Sequence, residues 1–177
     1  VQPVRKALGV STLFNTMGPL LSPARPEFQI MGIANPAQGQ LIVETMRELG
    51  RGRAMVVHGA GTDELAVHGE SQIWELNRDG TITHTTVTPE ELGLARHSLE
   101  DLRGGDGEAN AAAMRATFAG EGPQAHRDAV AATAGAMFYL YGTTDTIADG
   151  VQHALALLAD ATVHTWLRRH EEADYSA

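Results

Sequence analysis

Two carboxylates stand side by side at Asp63–Glu64, within the run Val56-Val57-His58-Gly59-Ala60-Gly61-Thr62-Asp63-Glu64-Leu65. Adjacent carboxylates on a loop can converge on one Mg²⁺, which accepts a few protein oxygens and completes its shell with water and substrate phosphates. Gly59 and Gly61 would let the backbone approach a ligand closely and leave amide donors exposed. A structural reading stands level with this one on spacing alone. In it, Thr62 N-caps a short helix, and Asp63 and Glu64 suit the positive end of that helix's dipole. His58, at the end of an apolar run, reads as a packed or hydrogen-bonded side chain rather than a catalyst.

The remaining candidates are weaker. Arg5 opens the early basic pair Arg5–Lys6; its fork could grip a carboxylate bidentately, or it could lie on a solvated helix face. Asn15-Thr16-Met17-Gly18-Pro19-Leu20 could line a substrate or simply stop a helix. Arg103-Gly104-Gly105-Asp106 resembles a phosphate-binding turn, yet Asp106 as an N-cap explains it more cheaply. His84, His97, His126, His153, His164 and His170 lack metal-ligand spacing and read as surface or core. With no cysteine in 177 residues, thiolate catalysis, disulfides and cysteine-based zinc sites drop out.

The elements that must hold the acidic pair follow from periodicity. Phe28–Ile33 reads as a strand, Asn35-Pro36 as the start of a helix, and Leu41, Ile42, Thr45, Met46 and Leu49 as its apolar stripe, closed by Gly50. Arg53–His58 is short and apolar in the middle, as a strand buried on both faces would be. Strand, helix, strand in this order implies parallel pairing, and ligands bind beyond the carboxyl ends of such strands. Ser71–Leu76 and Thr81–Val87 are strands joined by the turn Asn77-Arg78-Asp79-Gly80. Thr88-Pro89-Glu90-Glu91 fits a capping box. Asn110–Ala119, Arg127–Tyr141, Asp145–Leu158 and Thr162–Arg169 read as helices, divided by Gly120, Gly122 and Gly142.

Bulk properties narrow the partners. The formal charge of −9 and pI near 5.3 oppose binding to a phosphate backbone, so nucleic acid is not an expected partner. No apolar run reaches the roughly 20 residues a bilayer needs and no signal peptide stands at the start, which makes the cytoplasm the expected compartment. Val1 opens directly in what reads as a helix closed by Gly9, as a processed or truncated chain would.

Taken together, the motifs resemble the anthranilate phosphoribosyltransferases, within the nucleoside phosphorylase-like glycosyltransferases. The resemblance is carried by Val4-Arg5-Lys6-Ala7-Leu8-Gly9, Phe14-Asn15-Thr16-Met17-Gly18-Pro19-Leu20-Leu21-Ser22-Pro23-Ala24-Arg25-Pro26, Val57-His58-Gly59 with Asp63-Glu64, Gly104-Gly105-Asp106 with Asn110-Ala111, and Arg127-Asp128. It implies the C-terminal part of a mixed, mainly parallel α/β sheet domain flanked by helices. Residues 1–22 would be a hinge segment of a small helical domain, and 23–177 the α/β part. It also implies transfer of phosphoribosyl from phosphoribosyl pyrophosphate to anthranilate, in tryptophan biosynthesis, with Mg²⁺ and without a covalent nucleophile. In that scheme Arg5 holds the anthranilate carboxylate, Gly18 and Pro19 line the acceptor site, and Asp63 and Glu64 ligate the metal at the pyrophosphate leaving group. A homodimer is implied for the full-length protein. The Gly-Thr-Gly-Gly-Asp donor loop, the Asn-x-Ser-Thr segment and the Lys-x-Gly-Asn segment of the family do not occur here, so this polypeptide alone is expected not to turn over. Thr133 stands where many members carry Asn, at a position that reads as structural. The alternatives are a related transferase such as a pyrimidine nucleoside phosphorylase, or a non-catalytic remnant or split subunit.

Overall fold

The computed structural model describes residues 13–171. Helix α1 (Leu13–Leu20) leads through an irregular connection into strand β1 (Phe28–Gly32). Asn35 then caps a single 3₁₀ turn, Pro36–Gln38, by accepting a hydrogen bond from the Ala37 amide, and helix α2 (Gly39–Glu48) follows. Strands β2 (Arg53–Gly59), β3 (Ser71–Leu76) and β4 (Ile82–Val87) complete one sheet in the order β1-β2-β3-β4. β1 and β2 run parallel, from Phe28 opposite Arg53 to Gly32 opposite Val57. β2 with β3 and β3 with β4 are antiparallel, so the sheet is mixed, as expected. The β3–β4 turn closes on Gly80, whose φ of 83° is open to glycine at no steric cost.

The sheet carries helices on both faces. On one, Ile42, Val43 and Met46 of α2 bury against Ala54, Val56, Trp74 and Leu76. On the other, Met55, Val57 and Ile73 meet the small residues Ala131, Ala132 and Ala136 of helix α4 (Gln124–Tyr141) and Val151 of helix α5 (Ile147–Ala159). Strand β2 is therefore buried on both sides, and each large side chain there is worth about 1.5–3 kcal/mol of transfer free energy. Helices α4 and α5 touch backbone to backbone where Gly135 faces Gly150, which leaves no room for a β-carbon on either. Helix α3 (Gly107–Phe118) and helix α6 (Thr162–Glu171) form the outer layer.

Two local expectations change. Leu41 and Leu49 are not part of the buried stripe of α2: they are 66% and 43% exposed. The helix touches the sheet along the narrower line Ile42-Val43-Met46, because a helix on a flat sheet buries less than half its circumference. The Thr88–Glu91 capping box does form, with Glu91 accepting from the Thr88 amide at 2.7 Å. It opens only one 3₁₀ turn, Glu90–Leu92, which Gly93 ends at φ 75°. Among the described residues, no helix is long and apolar enough to cross a membrane.

Candidate metal and substrate site

The acidic pair sits where two parallel strands end. Gly59 and Thr62 exchange backbone hydrogen bonds of 3.1 and 2.9 Å around Ala60 (φ 46°) and Gly61 (φ 91°), making a tight turn at the end of β2. Positive φ at both central positions is the signature of such a hairpin turn, and Ala60 accepts a strained conformation to provide it. The Thr62 hydroxyl donates to the Gly59 carbonyl at 2.7 Å. It therefore caps no helix, and no helix follows: residues 63–70 are irregular. The helix-start reading of Asp63 and Glu64 fails on this geometry. So does the idea that Gly59 offers a free amide, because that amide is consumed by the turn.

The main chain after the turn folds back over the strand ends. A β-carbon on Gly32, the last residue of β1, would fall on the Asp63 carbonyl oxygen. One on Gly59 would come within 2.5 Å of the Ala66 amide nitrogen. The Ala66 amide donates to the hydroxyl of Ser71 at 2.8 Å, and the Ala60 amide to the Glu70 carbonyl at 3.0 Å. The pair thus rides on a bed of two glycines, tied down on its far side to the start of β3. Both carboxylates remain exposed. Among the described residues neither joins an ion pair. Partial burial, and then the neighbouring Asp63 charge, hold the Glu64 carboxyl above its ordinary range.

Two adjacent oxygen donors with unneutralised charge fit a hard divalent cation that takes most of its shell from water and substrate. Among the described residues no group of three potential ligands gathers, so a closed all-protein cage is not on offer. Glu64 also stands at the rim of a cavity of about 430 Å³, largely apolar, between the loop 64–68 and helices α3 and α4. Leu65, Val67, Met114 and Val130 are among its walls, and Thr133 faces it. No local pattern marks this cavity, because its walls come from four separate segments. His68, which lines it, carries a buried Nδ1 without a hydrogen-bond partner.

Of the other sequence candidates, Gly104 and His126 line the same cavity as Glu64. Gly18 and Pro19 are exposed within α1; the helix runs one residue past Pro19, whose carbonyl accepts from Gln29 Nε2 at 3.1 Å. Arg5 lies outside the described residues. His58 Nδ1 bonds the Ile33 carbonyl at 2.8 Å, a packed role as expected. Asp106 accepts from the Ala109 amide at 2.9 Å, so it is an N-cap. His97 is mostly buried, in keeping with a surface or core reading, and it meets buried Asp128 at 2.7 Å, which clamps its loop to α4.

The family described as "Glycosyl transferase family, a/b domain" matches residues 1–163. The chain belongs to this glycosyl transferase family. It is 69% identical over 177 residues to the anthranilate phosphoribosyltransferase of Corynebacterium aurimucosum, covering all of this chain and 51% of that protein. Among solved structures of the family, the anthranilate phosphoribosyltransferase of Thermus thermophilus superposes with a TM-score of 0.85 at 41% identity, over 96% of this chain and 50% of the other. The Saccharomyces cerevisiae enzyme, in complex with phosphoribosyl pyrophosphate and Mg, shares the fold at a TM-score of 0.77 and 20% identity, over 95% of this chain and 47% of that one. The chain spans about half the length of the curated relatives it matches. The glycosyl transferase match agrees with the resemblance carried by the sequence motifs, and it covers both the strand-end turn and the acidic pair.

Proposed function

We propose that the complete gene product transfers a phosphoribosyl group from phosphoribosyl pyrophosphate to the amino group of anthranilate, in tryptophan biosynthesis in the cytoplasm. The observation that carries this reading is the exposed Asp63–Glu64, without an ion-pair partner among the described residues, at the carboxyl ends of β1 and β2, in a chain 69% identical to an enzyme of that name. Asp63 and Glu64 would hold Mg²⁺, which supplies charge neutralisation at the pyrophosphate oxygens when bound. The chain's own contribution is to place the two carboxylates, which form no ion pair among the described residues. No side chain is needed as a covalent nucleophile, since positioning and electrostatics carry most of such a transfer. Arg5 would grip the anthranilate carboxylate, and Gly18 and Pro19 would line the acceptor site. In this reading residues 1–22 belong to the hinge side of a helical domain and 23–177 to the α/β domain, and the complete protein is a homodimer.

The test is Asp63→Asn combined with Glu64→Gln in the complete gene product. Formation of phosphoribosyl anthranilate at limiting Mg²⁺ should fall on the order of a hundredfold, the scale of losing a main electrostatic contact to the developing charge. The thermal midpoint should not fall, because neither side chain holds the fold and the substitution removes their mutual repulsion. Unchanged activity at limiting Mg²⁺ would overturn the ligand assignment.

A further inference from the structure

We propose that Gly32 and Ser71, neither of which bears a ligand atom, are positioning residues that set the divalent-cation affinity of Asp63 and Glu64. The inference rests on the metal reading above and deepens it. Gly32 ends β1, and its missing side chain is the space the Asp63 peptide occupies: an added β-carbon would overlap the Asp63 carbonyl oxygen and lie 3.2 Å from the Asp63 β-carbon. The obstacle is backbone, so rotating a side chain cannot relieve it. Any substitution must displace Asp63 by a distance on the order of 1 Å, whereas ligand positions at a metal tolerate only about 0.2 Å.

Ser71 acts from the other side. It is 1% exposed, opens β3 directly opposite Gly59, and accepts the Ala66 amide at 2.8 Å. Its removal would leave that amide without its hydroxyl partner and release the irregular segment that returns from Glu64 to the sheet. Partners one layer behind metal ligands commonly change affinity by about 10–100-fold when removed. Gly32 from below and Ser71 from behind therefore fix the two ends of a four-residue stretch whose only solvent-facing carboxylates are the pair itself.

The experiment measures Mn²⁺ binding by electron paramagnetic resonance in the complete gene product, with circular dichroism and the thermal midpoint recorded for each variant. Gly32→Ala should bring Mn²⁺ affinity down to that of the Asp63→Asn, Glu64→Gln double variant. Ser71→Ala, which deletes one hydroxyl, should weaken it about tenfold. Gly39→Ala is the control: its β-carbon would collide with the Trp74 ring on the face of the sheet covered by α2. It should lower the midpoint and leave Mn²⁺ affinity unchanged, which separates positioning from general destabilisation. If Gly32→Ala does not fold, Ser71→Ala decides alone. Folded Gly32→Ala or Ser71→Ala protein that binds Mn²⁺ as the parent does, while the double variant does not, would overturn the positioning role and leave the metal site standing. Equal binding by the parent and the double variant would remove both.

Discussion

Strand β2 has a carboxylate arrangement near each end, and the two are opposites. Near its start, Arg53 meets Glu75 of β3 at 2.8 Å, with both side chains only 13% exposed. The same guanidinium donates to the Tyr139 carbonyl at 2.8 Å and lies 4.2 Å from the Tyr139 ring. Beyond its end, Asp63 and Glu64 face solvent with no cation among the described residues. Glu75 is satisfied within the chain and ties α4 to the sheet. Asp63 and Glu64 repel one another and hold nothing together. Since Glu64 is raised above its ordinary range, its charged form is disfavoured by folding, so that contribution to stability is present below pH 4.5 and is lost as pH rises through the raised value. The arginine of β2 neutralises a carboxylate at one end, whereas the pair beyond the other end, about 20 Å of strand away, meets no cation among the described residues.

The largest effect that would break this contrast is Arg53→Met. It strands a mostly buried Glu75 carboxylate and removes donors from the last carbonyls of α4, so urea unfolding should show a loss of about 3 kcal/mol. Activity measured well below the melting temperature should change far less than in the Asp63→Asn, Glu64→Gln variant. If Arg53→Met instead abolished Mn²⁺ binding while folded, the two ends of β2 would not be independent.

Much of this was legible in the residues. The run Ala54-Met55-Val56-Val57 reads as a strand buried on both faces, and Asn77-Arg78-Asp79-Gly80 as a hairpin turn, and both form. Asp63 and Glu64 were legible as candidates but not as a geometry. Removing the helix-start reading needed the turn at Ala60–Gly61 and the press of Asp63 on Gly32, a contact across 31 positions that no local pattern encodes. The same limit hid the cavity beside Glu64, and it hid His97, whose partner Asp128 lies on a helix 31 residues away. The exposure of Leu41 shows the reverse error: periodicity marks every apolar residue near a face, whereas the sheet covers only the central line.

An intermediate case sharpens the comparison. Asp128 is 4% exposed and its carboxylate meets His97 Nε2 at 2.7 Å, while the His97 amide donates to the Val67 carbonyl at 2.8 Å. His97 thereby holds the loop 93–103 between α4 and the segment that leads away from Glu64. His97→Ala leaves a buried carboxylate short of a partner, and thermal or urea unfolding should show a cost of about 1–2 kcal/mol. The loss should be smaller than for Arg53→Met, because one hydrogen bond is removed instead of a fork. An equal or larger loss would mean that this loop, and not the end of β2, is the principal tie between sheet and helices.

The smallest effect belongs to charges that are paired yet fully solvated. Arg96 donates to both oxygens of Glu90 at 2.9 Å, and that hydrogen bonding holds the Glu90 carboxyl below its usual 4.5. A lowered carboxylate adds stability that is present above its ordinary value and is lost as pH falls through the lowered one. The difference in thermal midpoint between the parent and Arg96→Gln should therefore be slight at neutral pH and vanish as the solution is acidified. It should also shrink at about 1 M salt, where screening acts within roughly 3 Å. Persistence of the difference in acid would show that Arg96 works through packing of its side chain rather than through its charge. Loss of the difference in acid would instead place Glu90 with Glu75, as a carboxylate whose charge supports the fold.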